Sequence, residues 1–423
     1  MIAPRRFLQA FIFLSVAVLA IAQDDIQEEP PAGEDPVDTG VDVDDVGEDS
    51  YKSVKGTAKK AWQNFKPSLA HWSNKRCVEN SDAVGILARL SASGFIATHI
   101  VRKLMQDGYA VRGTVRSVSS SNAKHLQTLS AESGGEGTLE LVEADLLSTE
   151  DWTNITASAS YVVHCASPFQ VSGKDDDFSA ALVGTRRVVQ AAIDTPSVKR
   201  VIVTSSIAAV SSGRDDVHLC TFTPDDWSDA DKSDPYPKSK TLAEKEARQL
   251  VANQPAGRGL ELVTINPGFV VGPSLSERQD FVSFDTIKRL LNGSVPAAPS
   301  LSLSIVHVDD VAEAHVRALS RGKPGGRYIC WSGNLWLYEV CQCMRNNESI
   351  TSYRVRLPYF RAPNFLVWTI GLCDKTARAI VSRLGVESFY DTSSTTSELG
   401  IAFKSADDAV VDAALDMLQR GLV

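Results

Sequence analysis

Short apolar runs alternate with segments of helical periodicity through the middle of this 423-residue chain. Six runs rich in Val, Ile and Leu occupy residues 84–90, 110–115, 139–142, 161–164, 200–204 and 260–265. Nearly continuous apolar runs of this length are typical of strands that are covered on both faces. The pattern therefore predicts an α/β fold built on a doubly wound parallel sheet.

The first 22 residues have the pattern of a secretory signal peptide. Arg5 and Arg6 precede an apolar run over residues 7–22, which ends in Ala20-Ile21-Ala22. A positive start, an apolar stretch and an A-x-A site predict cleavage before Gln23 and entry into the secretory pathway. The run is shorter than the about 20 apolar residues that a membrane span needs. An uncleaved signal that anchors the protein in the membrane is the alternative.

Residues 23–50 carry most of the chain's negative charge. They hold 12 acidic residues, no Lys or Arg and no aromatic residue, whereas the whole chain has a formal net charge of −9. Such a segment buries too little apolar area to offset the entropy lost on ordering, so we predict a disordered acidic linker. The rest of the chain has 43 basic and 40 acidic residues. The net negative charge of the whole chain therefore indicates little about what the folded part binds.

Residues 51–80 form a basic amphipathic segment. Trp62, Phe65 and Trp72 belong to an apolar stripe with helical spacing, lysines lie between its members, and Pro67 interrupts the pattern. A basic amphipathic helix can lie on an anionic membrane, which predicts a possible peripheral membrane contact through 51–75. The favoured alternative is a helix that packs on the main domain, because apolar stripes usually face a core.

Tyr236 and Lys240 are the strongest candidates for chemistry. Residues four apart on a helix share a face, and an ammonium beside a phenol stabilises the phenolate form. Such a tyrosine can serve as a general acid or base. An apolar run upstream ends in Thr204-Ser205-Ser206, and a serine hydroxyl there can donate to a substrate carbonyl oxygen. Strand alternation directs only one of the two serines into a cleft, and capping of the backbone is the alternative role.

The stretch from Tyr236 to Glu244 resembles the active-site helix of the extended short-chain dehydrogenases/reductases, within the NAD-dependent epimerase/dehydratase superfamily. It is most similar to the branch of dihydroflavonol reductase and cinnamoyl-CoA reductase, and the resemblance covers roughly residues 84–420. It implies a Rossmann-type NADP-binding domain at 81–272 and a smaller lobe at 273–423 that mainly binds substrate. It also selects Ser206 over Ser205.

The resemblance implies an oxidoreductase that reduces a small-molecule ketone or aldehyde to an alcohol with NADPH. Ser206 then orients the carbonyl oxygen, Tyr236 protonates it, and Lys240 holds the nicotinamide ribose. Two alternatives stay open. One is a sugar-nucleotide epimerase or dehydratase, which uses the same three residues. The other is a non-catalytic binding protein that keeps the fold.

The glycine-rich loop departs from the family pattern T-G-x-x-G-x-x-G/A. Leu90 and Ser91 replace the Thr and the first Gly, whereas Gly94 is kept and Ala97 is an accepted third residue. Glycines there let the backbone approach a pyrophosphate, so Ser91 should crowd the turn. Weakened binding, a pseudoenzyme without cofactor and a sequence error upstream of Ser91 are the three interpretations. The match of 94–99 to the family favours binding.

Arg116 ends the second apolar run, where NAD-dependent enzymes usually place Asp or Glu. An arginine there can form a fork to the 2′-phosphate of NADP(H), and a solvated surface arginine is the alternative. The predicted cofactor-binding residues, which include those placed by resemblance alone, are Ser91, Gly94, Phe95, Ile96, Arg116, Asp145, Leu146, Ala166, Tyr236, Lys240, Pro267 and Val270.

The remaining features change the picture less. The chain has no basic stripe or motif of a nucleic-acid-binding protein. Seven scattered cysteines without a C-x-x-C pair indicate buried thiols rather than a disulfide framework. His307, Asp309 and Asp310 are too few for a metal site, and we interpret them as structural. Sequons at Asn154, Asn292 and Asn347 matter only if the signal peptide functions.

Overall fold

Parallel strands dominate the computed structural model, which describes residues 85–89, 92–132, 134–146, 152–165, 179–217, 220–373, 378 and 380–423. In chain order the strands are β1 (Gly85–Arg89), β2 (Ala110–Val115), β3 (Thr138–Glu143), β4 (Tyr161–His164), β5 (Arg200–Thr204), β6 (Thr221–Phe222), β7 (Glu261–Pro267), β8 (Phe269–Val271), β9 (Ser302–His307), β10 (Arg327–Cys330), β11 (Gly333–Trp336) and β12 (Phe389–Tyr390).

Seven of these strands form the main sheet, in the order β3-β2-β1-β4-β5-β7-β10. Every neighbouring pair in it is parallel. The six strands predicted from the apolar runs are all present, so the predicted doubly wound α/β class is confirmed. The strand order reverses direction between β1 and β4, and in such sheets ligands bind outside the carboxyl ends of the strands at that point.

Helices connect the strands and cover the sheet. They are α1 (Phe95–Gln106), α2 (Ser121–Glu132), α3 (Trp152–Thr156), α4 (Ser179–Asp194), α5 (Pro235–Ala252), α6 (Val282–Leu291), α7 (Val308–Arg321), α8 (Leu337–Asn346), α9 (Glu348–Thr351), α10 (Asn364–Gly371), α11 (Ser393–Glu398) and α12 (Ala406–Gln419), with a 3-10 turn at Ile207–Ala209. Among the residues described, no helix combines the length and the apolar character needed to cross a membrane.

Both faces of the main sheet are buried, as the apolar runs predict. Val163 and Ile202 point into the core shared with α1 and α7. Their neighbours Val162 and Val201 point into a second core, shared with α4 and α5. The two-residue alternation along each strand therefore supplies both cores, which is why these strands read as continuous apolar runs.

A smaller layer follows the main sheet in sequence. Strands β8, β9 and β11 form a three-stranded sheet that packs with α6, α8 and α12 around a core of its own. Gly268 separates β7 from β8, and a Cβ added there would lie 2.3 Å from the Ser304 carbonyl oxygen. Only a glycine lets the chain pass from one sheet to the other at this closeness.

The segment after residue 272 does not stay in the smaller layer. Helix α7 packs on α1, and β10 pairs with β7 at the edge of the main sheet. The predicted signal peptide, acidic linker and basic segment lie outside the described residues, as do Leu90, Ser91 and Ala166.

Candidate active site at the carboxyl edge of the main sheet

The loops after β1, β5 and β7 bring the predicted residues to one edge of the sheet. Gly94 precedes the first turn of α1 in an extended conformation (φ −74°, ψ 155°), and its carbonyl oxygen accepts from the Thr98 amide at 2.9 Å. Gly94 has no side chain to cap this helix end. Phe95 and Ile96 follow, both half-buried. A helix N-terminus presents amide groups and a partial positive charge, which suit a phosphate.

Helix α5 carries Tyr236 and Lys240 one turn apart. Pro235 begins the helix, where its missing N–H and fixed φ cost nothing. Lys240 is buried, and its Nζ donates to the Thr204 carbonyl oxygen at 3.4 Å. The Tyr236 side chain is 37% exposed. The fold thus places the Lys240 ammonium at the end of β5, beside the two serines.

The two serines after β5 have different partners. The Ser205 hydroxyl donates to Glu244 Oε2 at 2.5 Å, inside the protein. Ser206 Oγ accepts from the Ala208 amide at 3.1 Å and lies 3.5 Å from the Pro267 carbonyl oxygen. Ser205 is therefore tied to helix α5, and Ser206 faces the β7 side. The Ser206 hydroxyl also caps the 3-10 turn, which is the alternative role considered for it.

A buried carboxylate that the motif search missed lies behind these serines. Glu244 is 1% exposed, and its carboxylate also accepts from Asn266 Nδ2 (2.9 Å), Thr264 Oγ1 (3.1 Å) and Arg327 Nε (2.7 Å). Burial by itself would raise the pKa of Glu244. The charges of Arg327 and Arg248 and the Ser205 hydrogen bond outweigh burial and lower the pKa, so the group is ionised.

Arg327 connects this carboxylate to the loop after β6. Its guanidinium stacks 3.9 Å from the ring centroid of Trp227 and donates to the carbonyl oxygens of Pro224 and Asp226, each at 2.5 Å. Asn266 Nδ2 also donates to the Ser206 carbonyl oxygen at 3.2 Å. Glu244 thus links α5 to the ends of β5, β7 and β10. Its position four residues after Lys240, on the same helix face, was the sequence signal for it.

Thr204 has a second buried partner. Its Oγ1 lies 2.7 Å from His315 Nε2 and 3.0 Å from Cys165 Sγ, and His315 Nδ1 lies 2.7 Å from the Val311 carbonyl oxygen. A neutral His315 that donates from Nδ1 and accepts at Nε2 satisfies both contacts. Burial lowers the pKa of His315 to about 4 and raises the pKa of the Cys165 thiol to about 12.

The predicted adenosine-side residues follow β2 and β3. Arg116 is exposed directly after β2. The pKa of Asp280 is lowered mainly by the hydrogen bond of this carboxylate to Arg278, and the charge of Arg116 adds to the lowering. Asp145 is exposed after β3, and the Leu146 carbonyl oxygen accepts from Arg187 at 2.9 Å. Arg116 and the α1 N-terminus therefore both stand at carboxyl ends of neighbouring strands.

This set of groups fits a phosphorylated dinucleotide. The α1 N-terminus and Arg116 suit its phosphates, and Lys240 suits a ribose hydroxyl near the nicotinamide. Asn266 Oδ1 is buried without a hydrogen-bond partner among the described residues, next to Pro267 at the same edge. Val270 lies just beyond in β8, half-buried against the main core. NADP(H) bound here would be held by these residues.

Asp309 is the centre of a charged cluster at the start of α7. It lies 2.8 Å from both His99 Nδ1 and Arg102 Nη2, and Lys404 Nζ lies 3.3 Å away. Burial alone would raise the pKa of Asp309, but the hydrogen bond and charge of His99 and the charges of His307 and Arg102 hold it well below its usual range. In the part of the chain that the structure describes, no three His, Cys, Asp or Glu residues are placed to hold a metal. The cluster joins α1, α7 and the segment before α12.

An open parallel sheet with candidate acid–base groups at its carboxyl edge defines a nucleotide-binding α/β protein of the Rossmann class. The model of the NAD dependent epimerase/dehydratase family matches residues 92–330, more than half of the chain, and the chain belongs to this family. The predicted family is therefore confirmed.

Curated relatives come from the predicted branch. A cinnamoyl-CoA reductase of Medicago truncatula is 34% identical over 276 residues, which cover 63% of this chain and 82% of that protein. Tetraketide alpha-pyrone reductase 1 of Arabidopsis thaliana is 29% identical, over 80% of this chain and 97% of that protein.

Solved structures share the fold. Gre2 of Candida albicans in complex with NADPH superposes with a TM-score of 0.63 at 24% identity, over 79% of this chain and 99% of that one. Vestitone reductase of alfalfa (Medicago sativa L.) gives a TM-score of 0.60 at 24% identity, over 80% and 100%. At this identity the similarity supports the fold.

Proposed function

We propose that this protein is an NADPH-dependent reductase that converts a ketone or aldehyde to an alcohol, with Ser206, Tyr236 and Lys240 as its active site. The observation that carries the proposal is the buried Lys240 ammonium, one helical turn from Tyr236, which donates to the Thr204 carbonyl oxygen two residues before Ser206. The relatives named as reductases and the NADPH complex of Gre2 support the reaction class and the cofactor.

The chemistry divides among few groups. NADPH, when bound, supplies the hydride for the carbonyl carbon. Tyr236 delivers a proton to the carbonyl oxygen, so that the product is a neutral alcohol, and Ser206 orients that oxygen by a hydrogen bond. The Lys240 ammonium holds the ribose. Glu244 fixes the strand end that carries Ser206.

The test is carbonyl reduction by the purified full chain, followed by NADPH absorbance over a panel of ketones and aldehydes. Tyr236→Phe removes one oxygen, and loss of general acid catalysis should lower turnover about 10²–10⁴-fold. Lys240→Ala should lower turnover by a comparable factor. The two losses should not multiply when the substitutions are combined, because the groups act as one unit.

Matched controls are available for both variants. Tyr353 has a similar exposure, 40%, and Lys238 lies two residues before Lys240 and 3.8 Å from exposed Asp231. Tyr353→Phe and Lys238→Ala should leave turnover near that of the unmodified protein. A folded Tyr236→Phe protein with full turnover, or an unmodified protein that neither binds nor oxidises NADPH, would refute the proposal and favour a binding protein.

We also propose that the chain enters the secretory pathway through its first 22 residues, with a membrane anchor as the alternative. Arg5, Arg6 and the apolar run to Ala22 support this. Mass spectrometry of the mature N-terminus should find Gln23 first. An intact Met1 on an unglycosylated cytosolic protein would contradict both forms of the proposal.

A further inference from the structure

Helix α10 is apolar on two sides although it lies at the surface. Val367 and Ile370 are buried. Large apolar side chains on another side face outward, with exposed fractions of 71% for Phe365, 53% for Trp368 and 59% for Leu372, which follows the helix. Helices that are apolar all round are normally covered on all sides. The outer side of α10 therefore has the composition of a surface that binds something apolar.

The chain leading into α10 extends this surface. Tyr359 and Phe360 are 68% and 74% exposed, so five large apolar side chains face outward within fourteen residues. We call Tyr359, Phe360, Phe365, Trp368 and Leu372 the outer apolar patch. Isolated exposed apolar residues are ordinary on protein surfaces, but a group of this kind in one short segment marks an interaction site.

The chain around the outer apolar patch is net positive. Residues 348–387 contain six basic residues and three acidic residues, Glu348, Asp374 and Glu387. The exposed arginines are Arg354, Arg356, Arg361, Arg378 and Arg383. Arg378 reaches the end of α10 itself, where it donates to the Gly371 and Leu372 carbonyl oxygens at 2.8 and 2.7 Å. Apolar and aromatic side chains with exposed arginines in the same segment of chain match the boundary of an anionic bilayer.

Two other occupants fit this surface less well. A second copy placed symmetrically would bring two sets of these arginines together, and like charges across an interface are unfavourable. The acidic segment 23–50 complements the charge, but it has no aromatic residue or leucine to cover Phe365 and Trp368.

We propose that the outer apolar patch and its arginines dock the protein on an anionic phospholipid surface. This inference is independent of the proposed reductase activity.

Cys373 gives a local readout of this docking, because its exposed thiol adjoins Leu372. The full chain is treated with a water-soluble maleimide, and labelling of each cysteine is followed by peptide mass spectrometry. Vesicles of phosphatidylcholine and phosphatidylserine should slow the labelling of Cys373 and leave half-buried Cys343 unchanged. Vesicles of phosphatidylcholine alone should protect Cys373 less, since they offer the arginines no net charge.

The variant Phe365→Ser/Trp368→Ser should need roughly a hundredfold more lipid for the same protection, because burial of each of the two large apolar side chains is worth about tenfold. Val282→Ser is the control, since Val282 is 66% exposed in α6, outside the outer apolar patch. A melting curve for each variant checks folding.

Three results would overturn the inference, and each can be read on the unmodified protein alone. The first is Cys373 labelling that anionic vesicles do not slow, even if the protein sediments with them through another segment. The second is equal protection by neutral and anionic vesicles. The third is labelling that is already slow without lipid, which would mean that protein covers the patch.

Discussion

The Ser205 hydroxyl and the Glu244 carboxylate lie 2.5 Å apart in the interior, directly behind the candidate active site. This contact joins the end of β5 to helix α5, so the loop that carries Ser206 and the helix that carries Lys240 share one buried anchor. The anchor is charged, and Arg327 and Arg248 balance it. Its removal should therefore disturb both stability and the geometry of the site.

Glu244→Ala should lower the free energy of unfolding by about 3–5 kcal/mol, because it leaves the buried Arg327 guanidinium without its carboxylate. Glu246→Ala is the control two residues away, where the partner Arg186 is exposed and the loss should be about 0–1 kcal/mol. Denaturant unfolding measures both. Similar losses in the two variants would show that the buried carboxylate contributes no more than a surface pair.

Ser205→Ala and Ser206→Ala should affect different properties, the first mainly stability and the second mainly turnover. Ser205→Ala removes a donor to Glu244 and should cost stability, by about 1–3 kcal/mol for a bond to a charged group. Ser206→Ala should mainly lower turnover, and the loss is smaller than for Tyr236→Phe if water replaces the hydroxyl. Melting curves beside NADPH-oxidation rates separate the two. If Ser205→Ala alone abolished turnover in a stable protein, the roles of the serines would be reversed.

Arg116→Asp should shift the cofactor preference from NADPH towards NADH, or abolish binding. An arginine pairs with a 2′-phosphate, whereas an aspartate repels it and can accept from ribose hydroxyls. Titration of both cofactors against both proteins measures the change. The exposed Arg354, which lies between α9 and α10, provides the control variant Arg354→Asp. Equal affinity of the unmodified protein for NADH and NADPH would refute the role of Arg116.

Stability should fall as the pH drops from about 6.5 towards 4 because of His315. In the unfolded chain this histidine takes up a proton near pH 6.5, whereas burial lowers its pKa in the folded protein to about 4. The unfolded state binds more protons across this window. The contribution of neutral His315 to the free energy of unfolding, up to about 3 kcal/mol, is therefore complete above pH 6.5 and is lost towards pH 4. Chemical denaturation at several pH values should show a flatter dependence for His315→Leu. Parallel curves for the two proteins would mean that His315 does not titrate as described.

The inner strands β4, β5 and β7 could be predicted from the sequence because they are buried on both faces and read as apolar runs. The seventh strand of the main sheet, β10, lies outside the six predicted runs. Tyr236 and Lys240 could be found because one helical turn relates them. The pairing of Glu244 with Arg327 could not be predicted, since Arg327 lies 83 residues away and no local period connects the two. Strand alternation allows only one of Ser205 and Ser206 to face the cleft, and the family resemblance selects Ser206. Only the position of Glu244 shows where the Ser205 hydroxyl goes.

The family resemblance predicts a smaller lobe at 273–423, but no apolar run in the sequence predicts the strands of the smaller layer. Its three strands are short. The chain passes from the main sheet to the smaller sheet at Gly268, and the apolar pattern of the sequence does not mark this change. The cluster around Asp309 was interpreted as structural. Its partners His99 and Lys404 come from opposite ends of the folded chain, so spacing could not reveal them.

The outermost strand of the main sheet, β10, is synthesised about 60 residues after its neighbour β7. Until it emerges from the ribosome, the edge of β7 has no partner and Glu244 lacks the guanidinium of Arg327. Unpaired strand edges and uncompensated charges favour aggregation of incomplete chains. A nascent chain or proteolytic fragment that stops before Arg327 should therefore depend on chaperones.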